Sequence, residues 1–340
     1  VLTAVTGQEN ARLFDAGTAV FTDTLVAPTT VYGVGRVSRQ FGPNQSRVGA
    51  ILTGVRRNMP DDSPLRRIMN DRAVTGGADF QLRFKGNAYQ LAGWTGFSHV
   101  MGDSLQIANL QQSSARYYQR PDAESYHFDP SRTSLTGYVA GVDFSKNTGK
   151  HWLFGTFVGL ESPGFETNDI GRLSTSDGIN ACGSLTYRET QPRSFYRSYY
   201  TRFDSCEERN YDMDPQFHFL QMDAGLTLKN YWNLSLTTWR DFRGLDSRLT
   251  RGGPNVGSPF YDVGIMGLSN RSSAKTRWSG RVYYGKDDFG AITNRLSGFL
   301  AFKPSTQWDL SISPNFLRAQ TGRQYVMGRA DGGPATFGSQ

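Results

Sequence analysis

Apolar and polar residues alternate along most of this chain with a period of two. In "QWDLSISPN", residues 307–315, Trp308, Leu310 and Ile312 share one parity, and the residues between them are polar. The stretch "LQMDAGLTLK", residues 220–229, alternates in the same way. Successive side chains of a strand point to opposite sides, so this pattern predicts strands with one apolar and one polar face.

The alternation predicts about fifteen strands. Many exceed the five or six residues that are usual in soluble proteins, and they match the roughly nine to eleven residues that cross a bilayer at a tilt. We place the strands near residues 1–10, 28–41, 47–57, 72–85, 88–100, 132–145, 150–161, 177–190, 193–204, 215–229, 231–243, 258–267, 272–285, 291–303 and 306–318.

The connections between these strands alternate between short and long. Short ones are expected at 42–46, 86–87, 145–149, 191–192, 230, 269–272 and 304–305. Long ones are expected at 11–27, 58–71, 101–131, 162–176, 205–214, 244–257 and, weakly, 286–290. Tight turns at one end and long loops at the other are typical of outer-membrane barrels, whereas a soluble sandwich has no reason to keep this alternation.

The pattern therefore predicts an all-β fold: one antiparallel up-and-down transmembrane β-barrel domain over residues 1–340. The polar parity would line a wet lumen, and the apolar parity would face lipid. Arg83, Arg277 and Arg281 fall on the polar parity and would bias passage toward anions. Aromatic residues follow the short turns, as in an interfacial girdle, although a sandwich core would also use them. These residues are Trp152, Tyr231, Trp232 and Trp308.

Composition removes several classes of function. The 37 basic and 30 acidic residues give a net charge of +7, but the basic residues are scattered rather than clustered, so no nucleic-acid partner is expected. No apolar run is long enough for a transmembrane helix, and mean hydropathy is −0.50. The four histidines and two cysteines lack metal-site spacing, and no nucleophile motif is present. We predict no metal, no cofactor and no catalytic residue.

The two cysteines flank a predicted turn at Gln191 and Pro192. Symmetric pairing about this turn would place Cys182 opposite Thr201 and not opposite Cys206. A disulfide between the two cysteines would therefore need a bulge or a loop movement.

The stretch "LESPGFETNDIG", residues 160–171, is the first candidate for chemistry. Pro163 and Gly164 suit the centre of a tight turn. Three interpretations remain open for its carboxylates: a rigid structured loop, a loop folded into the lumen whose carboxylates line a constriction or hold Ca²⁺, or a glycosidase-like pair. Its candidate ligand-binding residues are Glu166, Asn168 and Asp169, with Glu161 as a further carboxylate.

The second candidate is "RYYQRPDAESYHFDPSRTS", residues 116–134. Its aromatic, arginine and aspartate side chains would bind a sugar or would brace one loop against another, and bracing is favoured. The candidate residues are Arg116, Tyr117, Arg120, Asp122, Asp129 and Arg132. Both candidate loops leave the same end of the predicted barrel, so we expect them to meet. Residues 248–257, "RLTRGGPNVG", are interpreted as an outer loop without a site.

Several segments together resemble a bacterial domain family of unknown function. They are "RYYQRPDA", "DPSRTSLTGY", "SKNTGKHW" and "SPGFETNDIG", with "VGRVSRQFGPNQSRVGAILT" at 34–53. Members of that family typically carry an N-terminal carbohydrate-binding-like domain of family nine followed by a large outer-membrane β-barrel. The resemblance implies a Gram-negative outer-membrane location, a carbohydrate-binding-like domain in the parent protein, and a barrel that is incomplete here at one or both ends.

The expected function is a channel or a membrane anchor linked to glycan binding or uptake. The lipid bilayer is the expected partner, and a glycan is a further one. A carbohydrate-active hydrolase that uses loop carboxylates, and a surface adhesin or assembly partner, are the alternatives.

Overall fold

Long antiparallel strands make up most of the computed structural model, which describes residues 1–167, 173 and 175–327. Their bounds in chain order are β1 (Leu2–Thr6), β2 (Glu9–Asp15), β3 (Val20–Ala27), β4 (Thr29–Phe41), β5 (Ser46–Asn58), β6 (Arg72–Phe84), β7 (Tyr89–Met101), β8 (Ser134–Lys146), β9 (Trp152–Glu161), β10 (Gly178–Glu189), β11 (Tyr196–Arg209), β12 (Pro215–Leu228), β13 (Asn233–Asp241), β14 (Leu245–Asp246), β15 (Val256–Gly257), β16 (Tyr261–Ser269), β17 (Thr276–Asp287), β18 (Ile292–Ser305), β19 (Trp308–Ile312) and β20 (Asn315–Gln320). Two short helices interrupt them, a 3₁₀ helix (Pro64–Arg67) and α1 (Ser104–Gln112).

Sixteen of these strands form one antiparallel sheet. Its order is β1, β4 to β13, β16, β17, β18 and β19, and β20 continues the pairing with β18. Each strand from β4 to β13 lies beside its neighbour in the chain, so the predicted up-and-down order is confirmed. Within the described residues no pairing joins β1 to β19 or β20, and the sheet is open.

The predicted alternation of short and long connections is confirmed in part, because two connections predicted to be long, 205–214 and 286–290, are reduced to five and four residues. The connections 42–45, 85–88, 147–151, 190–195, 229–232, 270–275 and 306–307 lie at one end of the sheet. The connections 59–71, 102–133, 162–177, 210–214, 242–260 and 288–291 lie at the other, which we call the loop end. The turn near 269–272, on which the predicted alternation depends, is present.

Several predicted boundaries were wrong. Residues 11–27 are not a loop, because β2 and β3 pair there as a separate hairpin. The long connection predicted at 205–214 shrinks to five residues because β11 continues to Arg209. The strand predicted at 306–318 is divided into β19 and β20, which meet at Ser313 and Pro314, since proline cannot donate a ladder hydrogen bond.

Helix α1 lies inside the predicted loop 101–131 and was missed. The Asp103 carboxylate caps it by accepting a hydrogen bond from the Leu105 backbone N–H at 2.9 Å. The helix has nine residues, and no helix among the described residues is long and apolar enough to cross a membrane.

The two faces of the sheet differ in chemistry along most of its width. Partner residues on neighbouring strands share a face. Val282 pairs with Met266 and Leu296, and all three side chains are exposed. The next residue, Tyr283, lies on the other face opposite Arg295. The same register places further exposed apolar side chains on the face of Val282: Val31, Val37, Val48, Leu52, Val74, Phe97, Val142, Val158, Leu185, Phe203, Leu220, Leu234, Leu300 and Ile312.

Charged side chains on the opposite, polar face pair with one another. Asp79 lies 2.9 Å from Arg36 and 3.3 Å from Arg47. The Thr237 hydroxyl donates to Asp223 at 2.5 Å. The polar face also carries the three arginines that the sequence assigns to it, Arg83, Arg277 and Arg281.

Aromatic side chains cluster beside the short connections. The ring centroids of Trp152 and Tyr187 lie 4.9 Å apart, and those of Trp232 and Trp278 lie 5.1 Å apart. Their position at the ends of long strands matches the predicted girdle geometry.

Cys182 and Cys206 form a disulfide that needs no bulge. The prediction that Cys182 would lie opposite Thr201 was wrong: Cys182 pairs directly with Cys206, and Thr201 pairs with Tyr187. The turn spans 190–195 because β11 begins only at Tyr196, and this longer connection moves the centre of pairing toward the C-terminus.

Replacing both Cys182 and Cys206 by alanine is expected to lower the free energy of unfolding by about 3 kcal/mol, because the bond closes a loop of 24 residues. Denaturant unfolding of the folded chain measures this loss. Each single alanine variant should lose a similar amount. Equal stability of the wild-type chain with and without reductant would contradict the bond.

Candidate functional site

Helix α1 lies on the polar face at the loop end. Its Ile107 side chain is fully buried against Ala73 of β6 and Val100 of β7, and Leu110 packs beside them. The spacing of Ile107 and Leu110 places both on one side of the helix. The connection 102–133 therefore folds inward over the sheet.

The segment 162–167 also folds onto the polar face. Pro163 and Gly164 occupy a tight turn closed by the Phe165 N–H, which donates to the Ser162 carbonyl at 3.0 Å, as predicted. The Glu166 N–H donates to the hydroxyl of Ser98 on β7 at 2.8 Å.

Close backbone approach fixes this segment against β8. A Cβ atom at Gly137 would collide with the backbone of Phe165, and one at Gly164 would collide with the Thr136 carbonyl. Both positions need glycine because one backbone lies directly on the other.

A buried ion pair joins the two candidate loops. Arg116 Nη1 lies 2.9 Å from Glu166 Oε2, with 1% and 3% of the two side chains exposed. The Arg116 guanidinium also donates to the Phe165 carbonyl. The prediction that the loops meet at the same end of the sheet is confirmed.

We call residues 113–128 the strap, because they run from this ion pair across the loop end. The far side of the strap is the part from Arg120 to Tyr126. Arg120 is buried in the strap and donates to the Asn255 side-chain oxygen at 2.8 Å and to the Tyr126 hydroxyl at 3.0 Å. Its guanidinium lies 3.9 Å from the Asp212 carboxylate. Asn255 comes from the connection 242–260 and Asp212 from 210–214, so Arg120 links three segments.

Further polar contacts hold the strap on this far side. The Asn255 N–H donates to Asp122 at 2.6 Å. The Asp212 carboxylate accepts from the N–H groups of Glu124 at 3.2 Å and Ser125 at 2.6 Å. Nearly all of these donors and acceptors belong to different connections, so the contacts tie the loop end together.

Tyr126 and Asp177 form a further contact of this network. The Tyr126 hydroxyl donates to Asp177 at 2.7 Å, and the Tyr211 N–H donates to the other oxygen of that carboxylate at 2.9 Å. Burial raises the pKa of Asp177 above its usual value, and burial together with the Asp177 charge raises the pKa of Tyr126. Tyr126 is therefore neutral and acts as a donor at physiological pH.

Among the described residues, the side chains of Asp129, Arg132 and Tyr117 are not part of the contacts above. Asp129 lies 3.5 Å from Arg132, and hydrogen bonds from Ser131 lower the pKa of Asp129. Tyr117 is half-buried, with a left-handed backbone at φ 51°. Asn168 and Asp169 lie outside the described residues. Binding of a ligand by any of these side chains stays a prediction.

Sequence reasoning missed the partners on the far side, which are Tyr126, Asp177, Asp212 and Asn255. Residues 248–257 were interpreted as a loop without a site, yet Asn255 contacts Arg120, Asp122 and Asp214. No periodic pattern signals such contacts. The only local sign is the Gly-Gly-Pro-Asn turn, which fixes the backbone before Asn255.

A cavity of about 480 Å³ lies beside the far side of the strap. Asp177 belongs to its wall, as do Glu208, Asp241 and Tyr261 on the polar face of the sheet. Arg248 is the basic residue in the wall. The acidic residues of the wall are Asp177, Glu208, Asp241, Asp246 and Asp287. Within the described ranges, no group of three or more His, Cys, Asp and Glu side chains is arranged to hold a metal ion.

Replacing Arg116 by methionine is expected to destabilise the folded chain by about 3–5 kcal/mol, because Glu166 would keep its burial and lose its charge partner. Glu166→Gln should also destabilise it. The double variant should lose less than the sum of the two, which a double-mutant cycle of unfolding free energies measures.

The exposed pair Arg240–Asp262 at the same end is the matched control, with side chains 54% and 55% exposed. Arg240→Met should change stability by about 1 kcal/mol or less. A similar loss at both pairs would contradict a special role for the buried one.

No curated protein matches the chain. Among solved structures, the chain is similar to the crystal structure of Acinetobacter baumannii OccAB4, with a TM-score of 0.38 and 8% identity over 92% of this chain and 91% of that one. It is also similar to the TodX deltaS2S3 mutant monoaromatic hydrocarbon channel, with a TM-score of 0.22 and 9% identity over 92% and 86%. At these TM-scores neither structure carries an argument about this chain.

The family described as "Domain of unknown function (DUF5916)" matches residues 1–243, which include β1 to β13 and both candidate loops. This match covers well over half of the 340 residues. The chain belongs to the DUF5916 family of domains of unknown function.

Proposed function

We propose that this chain forms part of an outer-membrane β-barrel that works as a channel. The observation that carries the proposal is the apolar face. Large apolar side chains of strands from β4 to β20 are exposed on this one face of a single sheet. Soluble proteins rarely expose apolar patches of such extent. In a bilayer this face would meet acyl chains, and the polar face would line water.

The lengths of the strands support the same orientation. Several strands between β4 and β12 have 13 or 14 residues, which corresponds to ~45 Å of extended chain. A tilted strand needs roughly nine to eleven residues to cross the hydrocarbon core, so several residues extend beyond it. The aromatic pairs beside the short connections would lie at one interface.

The disulfide supports an oxidising location. Structural disulfides persist in the periplasm and at cell surfaces and are rare in the cytosol. The Cys182–Cys206 bond therefore favours a chain that is exported before or while it folds.

The inward-folded loops support a narrow pore. The strap and the segment 162–167 cover part of the polar face, and the carboxylate-lined cavity lies beside them. Glu166 is 3% exposed and paired with Arg116, so its carboxylate is closed to a substrate in this arrangement. A link to glycans and an N-terminal carbohydrate-binding-like domain stay predictions.

Two adjacent residues of β18 test the orientation of the sheet. Leu296 belongs to the apolar face and is 57% exposed, and Ser297 belongs to the polar face. Leu296→Arg is expected to cost about 2–4 kcal/mol of folding free energy in a bilayer, whereas Ser297→Arg should be tolerated. Folding into lipid vesicles, followed by heat-modifiable gel mobility, measures the difference. Equal tolerance of both arginines would contradict the membrane proposal.

The channel is expected to conduct discrete current steps in planar bilayers and to prefer cations, because carboxylates outnumber Arg248 around the cavity. Replacing Glu208 by glutamine and Asp241 by asparagine should shift the reversal potential in a salt gradient toward zero. An anion preference that these variants leave unchanged would instead favour the arginines Arg83, Arg277 and Arg281 as the selective groups. Folded protein without current would favour a membrane anchor.

A further inference from the structure

The two ends of the sheet differ in charge. The short connections, all of which the structure describes, carry six basic residues and contain neither aspartate nor glutamate. The connections of the loop end carry charges of both signs, among them Asp61, Asp62 and Arg66. We call the end with the short connections the short-turn end. Its six basic residues are all exposed, and they are Lys85, Lys150, Arg193, Lys229, Arg271 and Lys275.

Two carboxylates lie on the strands beside the short connections. Glu189 accepts a hydrogen bond from the Gln191 N–H at 3.0 Å. Asp309 lies 2.8 Å from Lys303 and 3.4 Å from Arg277. The partners of Asp309 are two further basic side chains, so the positive charge of the short-turn end stays in excess.

A belt of aromatic side chains lies on the apolar face directly beside these connections. The ring of Tyr89 stacks between those of Phe84 and Phe144, at centroid distances of 5.7 and 6.2 Å. Trp152 contacts Tyr187 across two neighbouring strands. The register of β6 to β10 places all five rings on the apolar face, so the belt separates this face from the short connections.

Basic side chains border this belt. The Lys85 ammonium lies 5.4 Å from the centre of the Tyr89 ring, and Lys146 pairs with Tyr89 across β7 and β8. The Arg271 guanidinium lies 5.8 Å from the centre of the Tyr231 ring. A long basic side chain at the edge of an apolar surface keeps its stem on that surface and its charge in water. Apolar side chains, aromatic rings and positive charges therefore follow one another along the strands.

This order matches the layers of a phospholipid leaflet. Acyl chains would meet the apolar side chains, and tyrosine and tryptophan rings prefer the level of the head groups. The basic side chains would lie at the level of the lipid phosphates. A lipid with a net negative charge gains from this arrangement, by about fivefold in binding for each basic residue near the surface. A zwitterionic lipid gains less, because its head group carries no net charge.

We propose that the short-turn end binds the head groups of anionic phospholipids through the basic residues that border its aromatic belt. This inference rests on the proposed membrane-spanning barrel. It adds the chemical class of the lipid that this end selects.

Tryptophan fluorescence reports which lipids lie beside the belt. Trp152 belongs to the belt and is 52% exposed. Trp94 and Trp239 lie on the polar face, away from lipid. The other tryptophans of the short-turn end are replaced in the reporter chain by Trp232→Phe, Trp278→Phe and Trp308→Phe. The full chain is folded into phosphatidylcholine vesicles that contain either brominated phosphatidylglycerol or brominated phosphatidylcholine, since bromine quenches a tryptophan that it contacts.

We expect phosphatidylglycerol to bind beside Trp152 about fivefold more strongly than phosphatidylcholine at low ionic strength. This preference should nearly vanish at molar salt, because exposed charges are then screened. Lys146→Gln combined with Lys150→Gln should reduce it to less than about twofold, since both basic residues next to Trp152 are lost.

The matched control removes the same charge from the same face at the opposite end. Arg56 and Arg72 are exposed, pair with each other across β5 and β6, and lie on the apolar face beside the loop end. Arg56→Gln combined with Arg72→Gln should leave the lipid preference at Trp152 unchanged. An equal loss in both variants would assign the preference to net charge and overturn the proposed site.

The remaining results separate the lipid site from the barrel. Equal quenching by the two brominated lipids, or a preference that survives in the lysine variant, would overturn the lipid site and leave the membrane-spanning barrel standing. An acidic protein or polymer would then be the partner to seek for the short-turn end. A Trp152 signal that neither brominated lipid quenches would overturn the membrane location of the sheet and with it the lipid site.

Discussion

Each strand of this sheet directs its side chains alternately to two sides, and the two sides have opposite chemistry. A loop that folds back on the sheet must find partners for its own backbone N–H and C=O groups. The polar face offers them, as when Ser98 accepts the N–H of Glu166, and it offers glycines such as Gly137 that admit a second backbone. The apolar face offers neither. The long connections therefore fold onto the polar face and leave the apolar face uncovered.

Within this arrangement the Arg116–Glu166 pair has a positional role more than a stabilising one. The attraction between two buried charges offsets their lost hydration energy only when their geometry is good. The Arg116 guanidinium contacts both the Glu166 carboxylate and the Phe165 carbonyl, and this double contact fits one relative position of the two loops. We infer that the pair selects where the loops meet, while Ile107 and its neighbours supply the apolar burial.

The fold can be predicted from the sequence much better than the site can, for physical reasons. Period-two patterns extend over many residues, so strands such as β12 and β17 and the turns between them could be predicted. The hairpin β2–β3 and helix α1 are short, and their patterns were too brief to separate from a loop. The register of β10 and β11 around the cysteines was predicted wrongly because a shift of a few residues in one turn moves every partner on both strands.

The site shows the same limit. Arg116 and Glu166 could be expected to approach each other because their loops leave the same end of the sheet. Asn255 could not be assigned to Arg120, since 135 residues separate them and nothing in either local pattern refers to the other. Contacts between long connections depend on the shape of the whole loop end, which residue alternation does not encode.

The contact between Gly137 and the segment around Gly164 has a consequence for sequence variation. Two backbones that touch without side chains between them form an interface that neither partner can adjust by changing a residue. A larger residue at either position would have to lift the whole turn away from β8 and would also separate Glu166 from Ser98. Sequence variation in β8 and in the segment 162–167 is therefore constrained at two glycines that carry no chemistry of their own.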